Sequence, residues 1–176
     1  MKNTFAKFLW SMCMTIALIA SAQNLVSGQE KLEIGDPSMT AGRSATDRIV
    51  GAWETTVIPR TCQTGEQLAP AFLGLITFNK GGTLAEYGAN PATPFRSPGH
   101  GIWEGGWRGE DSYFMTFSFL PLTPAGVPVG RLRVTQTIEY NRYTDAPSSS
   151  GSFQLTNPAG IVIGTGCSTS TAVRLR

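Results

Sequence analysis

Cys62 and Cys167 lie near opposite ends of the strand-rich part of this 176-residue chain, and a bond between them would draw those ends together. Gly51-Ala52-Trp53 precedes the first cysteine, and Arg174 follows the second. Laid antiparallel so that Cys62 faces Cys167, the two segments put Trp53 beside Arg174 and Arg176. That arrangement is expected of a meander whose first and last strands meet and close a barrel. Trp53 and Cys62 differ in parity, so a regular strand places them on opposite faces. A bulge near Pro59 would bring them back to one face.

The pairing depends on the compartment, which the N-terminus addresses. Met1-Lys2 and Lys7 give a basic start, Phe8 to Ala20 an apolar run, and Ala20-Ser21-Ala22 a small-residue cleavage site. Residues 1–22 therefore read as a secretory signal. An uncleaved anchor and a later cut after Val26-Ser27-Gly28 are the alternatives. The apolar run falls short of the roughly 20 residues that span a bilayer, so no stable membrane insertion is expected after cleavage. Cleavage removes Cys13 and leaves one even pair, most simply a disulfide in an oxidising, periplasmic or extracellular setting. Two buried free thiols are the alternative. It also takes Lys2 and Lys7, leaving 12 basic against 12 acidic side chains. With no basic block, nucleic acid is not an expected partner. A single histidine excludes the usual multi-histidine zinc sites, and neither a metal nor an organic cofactor is expected.

Residues 23–47 are polar and small, with no sustained period, and read as a flexible leader. From residue 48 to 176 short β-branched and aromatic runs alternate with Gly, Pro, Asn and Ser clusters, an all-β pattern. Eight strands are predicted: 49–58, 71–78, 83–87, 102–107, 112–120, 129–140, 152–156 and 161–175. Short connections favour sequential antiparallel neighbours, hence an eight-stranded up-and-down barrel. A two-sheet β-sandwich is the alternative.

Alternation picks out inward faces. In the sixth strand Leu132, Val134, Gln136, Ile138 and Tyr140 share a face; Arg131, Arg133 and Glu139 opposite would be costly to bury. In the fifth, Tyr113, Met115, Phe117 and Phe119 share a face, while Phe114 and Leu120 make the other side apolar too. Phe72, Phe78, Trp103, Phe117, Phe119, Val134, Gln136 and Ile138 are the candidate ligand-binding set, and Trp107 could join the same aromatic wall. They would line a cavity or fill the barrel solid.

Gly51-Ala52-Trp53 at the start of the first strand, with Arg174 on the last, resembles the calycin superfamily, best known through lipocalins. The resemblance implies that Trp53 plugs one end of an eight-stranded barrel and that Arg174, with Arg176 as second choice, packs across its indole. A guanidinium over an indole is itself favourable by about 0.5–2 kcal/mol. Arg96 to Gly105 is similar to a segment of secreted bacterial barrel proteins and implies no activity.

The expected function is capture of a small apolar or amphipathic molecule by an exported monomer, with the 88–100 loop gating entry. A barrel-cyclase type of enzyme is the alternative, with His100, Glu104 and Tyr87 as catalytic candidates. His100 oriented by Glu104 could act as a base, or simply bond to backbone in a Pro/Gly turn. Glu54, Glu86 and Glu104 could each bind a polar group if turned inward, although strand carboxylates more often face water. A solid-core interaction module, homodimeric through Phe114, is the third reading.

Overall fold

The computed structural model describes residues 48–106 and 110–176. The signal at 1–22, the leader at 23–47 and Trp107 lie outside the described residues. The rest is all-β: β1 Gly51–Arg60, β2 Phe72–Phe78, β3 Thr83–Gly88, β4 Gly99–Gly105, β5 Ser112–Phe119, β6 Arg131–Asn141, β7 Ala146–Thr156 and β8 Val162–Arg174. Each strand pairs antiparallel with the next and β8 returns to β1, a closed up-and-down barrel. Among the described residues no helix is long and apolar enough to cross a membrane.

Local chemistry sets the corners. Between β2 and β3, Gly81 and Gly82 take φ of 99° and 87°, which side chains rarely adopt, and the Asn79 amide donates to the Thr83 carbonyl. Two strands start earlier than the sequence pattern indicates. Gly99 and Gly101 pair with Glu86 and Leu84, and the Ser148–Ser150 run pairs fully with β6. The run reads as a loop by composition, yet Ser149 points into the barrel while its neighbours face water.

The closing seam corrects the register expected from the cysteines. Trp53 is paired with Arg174 and Arg60 with Cys167, in an unbroken ladder running through Pro59. Cys62 lies beyond the end of β1, where the chain turns it back to Cys167 with a Cα–Cα distance of 5.1 Å. No bulge is needed. Trp53 and Arg174 point inward while Cys167 belongs to the outer row, so opposite parity is what the seam requires. The shift in register falls instead between Leu155 and Thr156, where β7 meets β8. The disulfide across the seam indicates an oxidising environment.

The connections after β2, β4 and β6 gather at one end with the start of β1, called here the plugged end. Those after β1, β3, β5 and β7 gather at the other, the loop end. Trp53, Phe78, Trp103, Tyr113 and Ile138 are buried towards the plugged end beneath Ile49. Edge-to-face pairs Phe78–Trp103 and Trp103–Tyr113, both with centroids 6.0 Å apart, lock these rings. On the inner wall, Gly166 of β8 leaves room for Phe153 on the neighbouring strand β7. At Gly166 a Cβ would collide with the Phe153 ring.

Candidate functional site

The plugged end is sealed by specific bonds. The Trp53 indole donates to the Ile49 carbonyl at 2.8 Å, and the Trp103 indole to the Asn79 carbonyl at 3.0 Å. The Arg174 guanidinium lies 4.0 Å over the Trp53 ring. It also donates to the Val50 and Arg48 carbonyls and to the Asp145 carboxylate. Burial pushes the Tyr113 phenol up to about 12. The two indole donors and the Arg174 guanidinium are thus occupied in holding the seal.

Midway along the barrel, Gln136 is buried among apolar residues but satisfied. Its amide donates to the Ser168 hydroxyl at 2.9 Å, and its carbonyl accepts from Ser149 at 2.7 Å. Ser149 in turn contacts Ser170 at 2.7 Å. These bonds tie β6, β7 and β8 together inside the wall.

The loop end is built differently. Glu86 of β3 points inward and forms an ion pair with Arg96, from the connection between β3 and β4. The Arg96 side chain is only 3% exposed, and its guanidinium lies 3.4 Å from the Phe119 ring centroid. Burial pushes the Glu86 carboxyl above its ordinary range, and the hydrogen bonds and charge of Arg96 offset this only in part. Glycines make the space, since a Cβ at Gly99 would stand 2.5 Å from the Glu86 Oε2. The same connection is stitched to the one after β5 by the Ser97 amide on the Leu120 carbonyl and the Leu122 amide on the Phe95 carbonyl.

Phe119 is buried at this end, but several other inward-facing apolar side chains are less covered here. Phe72, Leu132, Phe153 and Leu155 share the inner face with the buried core yet remain half-buried. Two clefts lie nearby or outside. One of about 260 Å³ sits at the loop-end rim between Pro128, Arg131, Asn157 and Pro158. One of about 430 Å³ crosses the outer wall, where Thr137, Ser148, Ser150, Thr169 and Thr171 present hydroxyls between Arg60 and Glu139.

Of the ligand-binding candidates, Phe78, Trp103, Phe117, Phe119, Val134, Gln136 and Ile138 are buried inside and Phe72 is half-buried at the loop end. None of the eight lines either cleft. His100, Glu104 and Tyr87 are exposed on the outer wall. His100 pairs with Ala85 and Ser118, and Glu104 with Phe114. The four-residue spacing separates His100 from Glu104 by roughly 13 Å of strand. Glu54 is exposed like Glu104, whereas Glu86 is the carboxylate that turns in. Arg96 escaped sequence reading altogether, since an arginine in a Pro/Gly connection carries no sign that it will fold inward.

These features define an eight-stranded antiparallel barrel with a disulfide across its seam, one sealed end and one loop-bearing end. No protein-family model matches this chain, and no curated protein or solved structure does so either.

Proposed function

We propose that the protein is an exported carrier that takes up one small apolar or amphipathic molecule at the loop end, in the periplasm or outside the cell. The observation that carries this reading is the gradient along the interior. Inward apolar residues are sealed near Trp53, whereas Phe72, Leu132, Phe153 and Leu155 towards the loop end are only half-buried. Apolar surface facing into a barrel mouth gains free energy when a ligand covers it, about 25 cal/mol per Å². The plug of Trp53 under Arg174 supports a calycin-like reading of the barrel.

The test combines native mass spectrometry of the protein purified from its exported form with titration by N-phenylnaphthylamine, a probe that brightens in apolar surroundings. A discrete adduct or saturable one-to-one brightening, lost in Leu155→Arg with the barrel still folded by circular dichroism, is expected. A folded wild-type protein that carries no adduct and leaves the probe dark would refute the carrier reading.

A further inference from the structure

The loop end also has an outer surface, and the chemistry of its connections differs from that of the described connections at the plugged end. Leu68, Phe95, Val127, Val129, Ile161 and Ile163 project there from all four connections or the strand start beside them, each between 43% and 63% exposed. These side chains stand on backbone that is tied down rather than loose. The Leu68 amide donates to Pro59, Thr123 to Val127, Val129 to Pro121 and Asn157 to Ile161. A patch of apolar tips held out by hydrogen-bonded loops marks a contact surface. At the plugged end the described connections are polar or charged, with Lys80, Glu110, Asp111, Arg142 and Asp145, and Tyr143 as the apolar exception.

Charge tells which partner fits. Around the apolar tips the described charged outer residues are Arg60, Arg131 and Arg133 against one acid, Glu66. The other described acids, apart from the internally paired Glu86, lie in the half of the barrel towards the plugged end. A protein partner of mixed charge does not need such polarity, whereas an anionic bilayer surface does. Apolar tips enter the headgroup region while basic side chains sit at the level of the phosphates. The outer row of β6, with Arg131, Arg133, Thr135, Thr137 and Glu139, is polar, so that side of the wall forms no lipid-facing band.

We propose that the loop end docks the barrel onto an anionic lipid bilayer surface, with the tips of the connections after β1, β3, β5 and β7 inserted at the interface and Arg60, Arg131 and Arg133 facing the phosphates. The docking stands on the tips and the charge alone, and does not depend on whether the mouth carries a ligand.

The experiment is sedimentation of the full protein, purified from its exported form, with vesicles of phosphatidylcholine alone or mixed with phosphatidylglycerol. Binding is expected to the mixed vesicles, weaker at high salt. Val127→Ser/Ile161→Ser should reduce it by about tenfold, as expected when two apolar side chains no longer insert. Arg131→Glu should weaken it in the same direction. All variants share the same sequence before residue 48, so any contribution of that segment cancels. A second readout places the contact: Ile161→Trp should shift its emission to the blue on adding mixed vesicles. Wild-type protein that stays in the supernatant, or binding unchanged in the folded Val127→Ser/Ile161→Ser variant, would overturn the docking. Equal binding to both vesicle types would overturn the anionic partner.

Discussion

The Arg174 guanidinium stacks 4.0 Å over the Trp53 ring while also holding the Asp145 carboxylate and two carbonyls of the chain entering β1. One side chain thus joins the last strand, the first strand and the turn before β7. Arg174→Met keeps most of the stem's packing and removes the charge and its fork of donors. It should lower the unfolding free energy by about 2–4 kcal/mol, since hydrogen bonds involving a charge are worth roughly 1.5–3 kcal/mol. Arg174→Lys should recover only a minor part, because a point charge cannot serve three acceptors and an indole face together. Urea unfolding decides the matter, and a Met variant as stable as wild type would remove the plug from the account of closure.

Gly51 belongs to the same device. Its φ is +135°, and a Cβ there would sit 2.7 Å from Arg174 Nη1. Gly51→Ala is therefore expected to cost about 1–3 kcal/mol from backbone strain, with the clash in addition. The clash disappears when the arginine does. In an Arg174→Met background the alanine should be less costly, giving a coupling of at least about 0.5 kcal/mol in a double-mutant cycle. Strict additivity would mean that Gly51 serves backbone geometry alone.

The buried pair at the loop end gives a pH-dependent test. Arg96→Met leaves the Glu86 carboxylate buried without its partner and should cost about 3–5 kcal/mol at neutral pH. Glu86→Gln/Arg96→Met removes both charges and should lie nearer to wild type. Because burial raises the Glu86 pKa in the folded protein, the folded state holds that proton more firmly than the unfolded chain. Its contribution is fully present below the ordinary value of 4.5 and declines as pH rises through the raised folded value. Asp111 works the other way: burial opposes its ionisation, but Arg142 and Arg48 together hold it below the usual range. Glu86→Gln should thus remove a stability loss on going from acid to neutral pH and leave the acid-side loss from Asp111. Unfolding curves across that range that superimpose for Glu86→Gln and wild type would contradict the burial of this group.

What could be read from the sequence was whatever alternates. The inner rows of β5 and β6 follow from period-two patterning, because burying Arg131, Arg133 and Glu139 would be too costly. The seam was legible in outline, since Cys62 and Cys167 bring the first and last strands together, but its register was not. A disulfide constrains Cα atoms within several ångströms, and Cys62 reaches Cys167 from outside the ladder. Serine-rich β7 was hidden for a different reason. Ser148 to Ser150 have turn-like composition, and their strand conformation comes from pairing with Thr137 to Glu139, a contact no local propensity encodes. Arg96 was beyond reach on the same ground, because only the assembled barrel supplies the carboxylate and ring that make an inward arginine stable.

The disulfide should stabilise the barrel without defining it. Its two cysteines are 105 residues apart, and constraint of so long a loop is worth up to about 4.7 kcal/mol in the unfolded chain. Yet β1 and β8 are paired continuously from Trp53 to Arg60 without its help, and Cys62 is exposed. Reductant should therefore reach the bond in the native protein, adding two hydrogens to its mass while the circular dichroism spectrum stays that of a β-barrel. Cys62→Ser/Cys167→Ser should lower the unfolding free energy by about 2–4 kcal/mol and remain folded. Unfolding on reduction would instead mean that the ladder through Pro59 cannot hold the seam alone. Free thiols in the protein recovered from its exported form would remove the basis for an oxidising compartment.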